Sequence, residues 1–460
     1  MRTSSIRHRG RRAAASAVLG LLLVTAAGTT AHAESTRGQQ WFLDAMKAEQ
    51  MWQTSTGEGV TVAVIDSGVD PGNPDLKGRV LPGKDLAPNQ PGDEHTDYEG
   101  HGTGMAGLIA GTGAYGGGNG AFGLAPGAKI LPIRLPKGGT AANKAEGNAR
   151  FNTAVAQAIR YAVDRRAKVI NISQGATEGS PQVTAAVKYA LDKGSLIFAA
   201  VGNNGDGANE VMYPAATPGV VGVAAVGKDL RRTAESEYGP QVDMAAPGED
   251  MVAACGSETG FCRTHGTSDA NALVSASAAL IWSVHPDWTN NQVLRVMLNT
   301  IGGPTDGAKR NDSIGYGIVR PRIALQNPGD PGPADVYPLP DLAAAERKSP
   351  SPQASGTSDA GAPAKDDDTA ATASEASTDN GTLWTTLGIG AAALLAAAIA
   401  VATVVRRRRT PAAPLPTPVP VPVPVPGQFP YPTAGFTAPP PTPPEAPGSA
   451  TRPGQGPGPI

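Results

Sequence analysis

Val60-Thr-Val-Ala-Val-Ile65 is a short, β-branched apolar run that ends in a carboxylate, Asp66, followed at once by Ser67-Gly68. A run of this length and composition reads as a strand buried on both faces. Lys129-Ile-Leu-Pro-Ile133, Lys168-Val-Ile-Asn-Ile172, Ser195-Leu-Ile-Phe-Ala-Ala-Val201 and Val220-Val-Gly-Val-Ala-Ala-Val226 read the same way. Helical patterns alternate with them over Trp41 to Gln53, Gly102 to Ala110, Phe151 to Arg165 and Pro181 to Asp192. The Phe151 segment places Val155, Ile159 and Ala162 on one face. Strands alternating with helices predict an α/β domain: a mostly parallel sheet covered on both sides, with ligands at the carboxyl ends of the strands.

The chemistry-bearing residues fall at those ends. Asp66 closes the first strand, Asn203 follows Phe198-Ala-Ala-Val-Gly202, and Ser268 precedes a helical run from Ala270 to Val284. A carboxylate ending an apolar strand is poorly solvated and can orient an imidazole. Taken alone, Asp66-Ser-Gly would be a turn with an N-cap. Of the histidines, His8 and His32 belong to the leader, His95 to a polar loop, and His265 and His285 flank the Ser268 helix. Only His101 sits among glycines ahead of a small-residue helix, in Gly100-His101-Gly-Thr-Gly104, where close backbone approach is possible. Asp, His and Ser in this order match one chain order of a Ser-His-Asp hydrolase.

The ends of the chain have other work. Arginines up to Arg12, an apolar core from Ala13 to Ala27 and Ala31-His-Ala33 read as a secretory signal peptide over residues 1–33. Residues 383–405 are uncharged and as a helix would extend roughly 35 Å, enough to cross a bilayer. Arg406 to Arg409 follow, so the positive-inside rule places the large domain outside the membrane and the tail in the cytoplasm. Residues 328–382 are rich in Pro, Ala, Ser, Thr and Asp and read as a disordered stalk; the proline-dominated tail, within 406–460, reads as polyproline-II-like. The folded domain is therefore expected at 34–327. A formal charge of −2 gives no hint of nucleic acid. The two cysteines, Cys255 and Cys262, lie in the exported part and are expected to pair, worth ~2 kcal/mol by chain entropy; a metal pair would need more ligands than His265 supplies. Asp93, Glu94 and Asp97 have calcium-type oxygens, but solvated loop charge is the better account, so no metal or cofactor is expected.

Val62-Ala-Val-Ile-Asp66-Ser-Gly68, Gly100-His-Gly-Thr103, Ala199-Ala-Val-Gly-Asn203-Asn-Gly205 and Gly266-Thr-Ser268 together resemble the subtilase family of serine proteases. The opening Gln40-Trp-Phe-Leu-Asp-Ala-Met46, the stalk and the single C-terminal span resemble its mycosin branch, membrane-anchored proteases of type VII secretion systems. The resemblance implies a three-layer subtilisin-like fold followed by one transmembrane helix. It implies Ser268 as nucleophile, His101 as general base, Asp66 as its orienter and Asn203 as oxyanion donor. Ser173, Gln174 and Gly175 would form the substrate-binding strand, with Gly202 and Met212 lining the specificity pocket and Lys137 to Asn148 the opposite rim. Exported proteins would be the substrates, with the membrane and a secretion complex as partners.

Departures from the family pattern matter. Asp269 and Ala272 stand where the family usually has Met or Phe and Pro. An ionised Asp269 within ~5 Å of the oxyanion would oppose catalysis, whereas one turned away or protonated by burial would not. That leaves a second reading, a weakly active or idle protease-like subunit of a secretion complex. Met212, where many subtilases have glycine, implies a shallow pocket for small side chains. The short distance from Ala33 to Trp41 leaves no room for the usual prodomain chaperone.

Overall fold

The structure is a computed structural model and describes residues 35–138, 141–256 and 260–348. The expected signal peptide, transmembrane segment and tail, and the stalk beyond residue 348, lie outside the described residues. Among the described residues no helix is long and apolar enough to cross a membrane.

In chain order the domain runs α1 (Trp41–Met46), α2 (Ala48–Trp52), β1 (Thr61–Asp66), β2 (Lys84–Asp85), α3 (His101–Ala110), β3 (Lys129–Arg134), α4 (Lys144–Asp164), β4 (Val169–Ile172), α5 (Pro181–Asp192) and β5 (Leu196–Ala200). It continues with β6 (Val221–Val226), β7 (Met244–Pro247), β8 (Met251–Ala254), β9 (Phe261–Thr264), α6 (Thr267–Val284), α7 (Asn290–Asn299), α8 (Pro321–Gln326) and α9 (Pro340–Lys348). Seven strands form one sheet in the order β2-β3-β1-β4-β5-β6-β7, every pair parallel.

Because side chains alternate across a strand, each strand feeds two cores. Val62 and Val64 of β1, with Ile130, Val169, Phe198 and Val223, face α3, α6 and α7. Ala63 and Ile65, with Leu131, Ile133, Ile170 and Ile197, face α4 and α5. This explains why the strands carry unbroken apolar runs. The small residues of α6 let that helix lie through the middle of its layer, buried from Thr267 to Trp282.

Several expected boundaries move. The helix expected over Trp41 to Gln53 is two short helices broken at Lys47, which takes φ +61. The helix expected from Phe151 begins at Lys144, because Asn143 caps it by accepting from the Glu146 N–H at 2.9 Å. Part of the expected rim, Lys144 to Asn148, is thus helical, and Asn148 is buried. The hairpin of β8 and β9, closed by the Cys255–Cys262 disulfide, is an addition to the expected elements.

The stalk does not begin at residue 328. Arg295 on α7 donates to the carbonyls of Pro331 at 2.7 Å, Pro333 at 2.9 Å and Val336. Thr289 and Asn291 both donate to the Ala334 carbonyl at 2.9 Å, and Gln292 donates to Gly332. Leu339 is buried, and Asp341 accepts from the Gly219 N–H at 2.7 Å. Compositional reasoning counts apolar side chains; here the polar side chains of α7 hold the strap by its own carbonyls.

Candidate active site

Asp66 is the last residue of β1 and is fully buried. Its Oδ1 accepts from the Ser67 N–H at 2.7 Å and from Gln174 Nε2 at 3.2 Å, and lies 2.8 Å from His101 Nδ1. A buried carboxylate facing Nδ1 places the proton there and leaves Nε2 as the basic nitrogen.

His101 opens α3, and its position is set from beneath. Asp97 Oδ2 accepts from the Thr103 N–H at 2.7 Å, while its Oδ1 accepts from Gly100 N–H at 2.8 Å and from Ser67 Oγ at 2.7 Å. Ser67 Oγ in turn accepts from the Gly102 N–H at 3.0 Å. These bonds tie the end of β1 to the first turn of α3. A Cβ on Gly102 would collide with the Gly68 carbonyl, so glycine there permits the approach. The possible calcium ligand Asp97 is therefore an N-terminal anchor of the histidine helix. Sequence reasoning missed that role, although a carboxylate four residues before His101 at a helix start is a recognisable signal.

Ser268 lies in the first turn of α6. Its hydroxyl donates to the Ser173 carbonyl at 3.1 Å. Asn203 follows β5, and its Oδ1 accepts from both the Thr267 N–H at 2.8 Å and the Thr267 hydroxyl at 2.9 Å. With the oxygen end fixed, the NH2 end of Asn203 is the one presented to a ligand. Asn271 lies beneath: its amide donates to Asn171 Oδ1 at 2.9 Å and to the Ile172 carbonyl at 3.1 Å, while Ser275 donates to the same Asn171 oxygen at 3.0 Å. This buried polar cluster joins α6 to β4 behind the serine.

The awkward Asp269 turns toward β9. Its Oδ1 accepts from the Thr264 hydroxyl at 2.7 Å, and the residue is 1% exposed. Burial pushes its carboxyl up to about 6, against the pull of that hydroxyl and of His101. The Asp66 charge drives the His101 imidazole up to about 9, with Asp269 adding to the effect and burial opposing it. Glu235 sits 2.8 Å from His265 Nδ1 and raises that exposed histidine.

The residues expected to bind substrate also gather here. Ser173, Gln174 and Gly175 follow β4, and Ala176 exchanges both backbone hydrogen bonds with Tyr213, at 2.9 and 2.7 Å. Met212 packs against Gly175: a Cβ on that glycine would stand 3.1 Å from Met212 Cε. Gly202 precedes Asn203 with φ +116. Gln174 also touches the Asp66 carboxylate, so the strand expected to hold substrate and the residue expected to orient His101 are directly linked. Among the described residues no group of three or more His, Cys, Asp or Glu could hold a metal ion.

A hydroxyl in the first turn of a helix, an imidazole backed by a buried carboxylate, and an amide bonded to the residue before the serine are the groups that acyl transfer requires. The subtilase family (peptidase S8) pattern matches residues 57–317. Thermitase of Thermoactinomyces vulgaris is 36% identical over 238 residues, covering 52% of this chain and 80% of thermitase. Among solved structures, MycP1 from Mycobacterium smegmatis is 30% identical with a TM-score of 0.56, over 65% of this chain and 87% of MycP1. The MycP3 protease from the type VII (ESX-3) secretion system is 34% identical with a TM-score of 0.55, over 65% and 90%. The chain belongs to the subtilase family of serine proteases and is of mycosin type.

Proposed function

We propose that this protein is an endopeptidase anchored in the cell membrane with its catalytic domain outside, cutting exported proteins in association with type VII secretion. The observation that carries the catalytic part is the 2.8 Å contact of His101 Nδ1 with the buried Asp66, beside an Asn203 amide whose oxygen is locked by Thr267. On this reading His101 removes the Ser268 proton as Oγ attacks the scissile carbonyl, and later returns a proton to the leaving amine. Asn203 Nδ2 and the Ser268 N–H stabilise the oxyanion, the former contributing about 3 kcal/mol. An extended substrate pairs with Ser173–Gly175 by adding a strand. Met212 keeps the main pocket shallow, favouring small side chains at the cleaved position. The likeness to MycP1 and MycP3 supports the secretion link, and the segments at 1–33 and 383–409 support the anchored, exported topology.

The test is labelling of the full-length protein in membranes by a fluorophosphonate probe, with Ser268→Ala as control, followed by cleavage of a peptide library. Serine-dependent labelling and a preference for small side chains are expected. Absence of serine-dependent labelling in folded protein would reject the enzymatic reading, and a preference for large aromatic side chains would reject the shallow pocket. A second reading, a subunit with an idle site, is favoured by one observation: the Ser268 hydroxyl donates its hydrogen bond to the Ser173 carbonyl. The same labelling experiment separates the two.

A further inference from the structure

The loop that carries Asn203 is gripped from two sides. Thr267 holds one: it bonds the Asn203 side chain, and its hydroxyl accepts from the Gly202 N–H at 3.3 Å. On the other side lies Glu237, a residue only 2% exposed. Its backbone N–H donates to the Gly202 carbonyl at 2.9 Å, and its carboxylate accepts the Asn204 backbone N–H. A Cβ on Gly202 would land on that carboxylate, so the Glu237 side chain fills the space that a side chain at 202 would take. Glu237 thus touches the residue before and the residue after Asn203.

This carboxylate is poorly compensated. Its Oε2 is buried without a hydrogen-bond partner, and among the described residues no cation pairs with it. Nearby charges are engaged elsewhere. Arg232 donates to the carbonyls of Thr233, Ala234 and Ser236, Glu235 faces His265, and the Glu210 carboxylate pairs with Lys144 at 2.8 Å. A buried acid in such a place is stable when neutral and costly when charged.

We propose that Glu237 is a positioning residue of the oxyanion hole: it fixes the Gly202–Asn204 loop, and when ionised it opposes the negative charge that Asn203 is there to receive. The proposal rests on the reading of Asn203 as the oxyanion donor. Burial, reinforced by Glu210, pushes the Glu237 carboxyl up to about 7. The change of charge therefore falls between slightly acidic and slightly alkaline conditions.

The test uses the full-length protein and the rate constant for phosphonylation of Ser268 by a fluorophosphonate, whose P=O oxygen would occupy the same hole. Glu237→Gln keeps an oxygen for the Asn204 N–H and removes the charge. Its rate divided by the wild-type rate is expected to be near one at pH 5.5 and to rise to about fivefold at pH 8.5. His101 and Asp269 titrate in both proteins, so their contributions cancel in the ratio. Glu237→Ala, which also loses the acceptor, is expected to be slower than Glu237→Gln at both pH values, with thermal unfolding measured alongside. A ratio that stays flat across this range, while Asn203→Ala slows the reaction, overturns the proposal alone. A rate unmoved by Asn203→Ala removes the oxyanion reading and this proposal together. If Glu237→Ala does not fold, the wild-type and Gln pair decides.

Discussion

Two buried carboxylates at opposite ends of the parallel sheet, Asp66 and Asp243, are held differently. At the carboxyl ends, Asp66 is fully buried, and one of its oxygens is served by the Ser67 N–H, Gln174 and His101. At the amino ends, Asp243 stands just before β7, with the Gly222 N–H at 2.9 Å as its donor and the Asp341 carboxylate close enough to add to its burden. Burial pushes the Asp243 carboxyl up to about 8. Above it the Tyr337 hydroxyl and Asp341 Oδ1 are buried without partners. The contrast teaches that a buried carboxylate is pinned through one oxygen by three groups where it positions a histidine, whereas the one that closes the fold meets the Gly222 N–H and a second carboxylate.

The contrast is open to direct attack, beginning at the catalytic end. Asp66→Asn should lower kcat by about 10⁴-fold while leaving the fold intact, because the amide can turn its NH2 toward Nδ1, favouring the wrong tautomer, and carries no charge to stabilise the imidazolium. Asn203→Ala should lower kcat by about 10²- to 10³-fold, with KM little changed. At the other end, Asp341→Ala leaves the Gly219 N–H without its acceptor and should destabilise the domain by about 1–2 kcal/mol in denaturant unfolding; Asp341→Asn, which keeps an oxygen, should recover most of this. A substitution that reduced catalysis at the strap end as much as at the site would dissolve the distinction between the ends.

The smaller effects concern pH. The folded-state value of Asp243 lies above its ordinary value near 3.8, so its contribution to stability is fully present in acid and is lost as pH rises toward 8. Asp243→Asn should therefore gain stability over wild type progressively between about pH 4 and pH 8, and no further beyond, as read by thermal unfolding. Peptide hydrolysis should increase toward about pH 9 as His101 loses its proton. Because the Asp269 charge raises His101, Asp269→Asn should move the midpoint of that rise to lower pH by less than one unit.

Sequence pattern exposed the sheet where strands are dense in β-branched residues, as in β1 and β4, and hid it where they are not. The edge strand β7 reads Met-Ala-Ala-Pro and has no such signal. The apolar spacing predicts α4 only from Phe151, seven residues after its start, because the polar first turns from Lys144 mask the Asn143 cap. The candidate triad was visible through motif order, but its supports were not. Thr264 reaches Asp269 because the β8–β9 hairpin brings it there, and Arg295 meets the Pro331 carbonyl across a long stretch of chain. Such contacts depend on the assembled fold and leave no local periodicity. For the same reason, the direction of the Asp269 carboxylate could not be read from its place after the serine.

The strap has a mechanical meaning. A pull on the chain at Lys348 is transmitted through α9 to the Asp341–Gly219 bond and the Arg295 clamp, a set of contacts that must yield before the load enters β6 or α7. The helix that carries Ser268 has its catalytic end at the opposite pole of the sheet. If the chain is anchored beyond Lys348 as proposed above, the strap acts as a strain relief, taking up a pull on the domain before it reaches the geometry of the cleft.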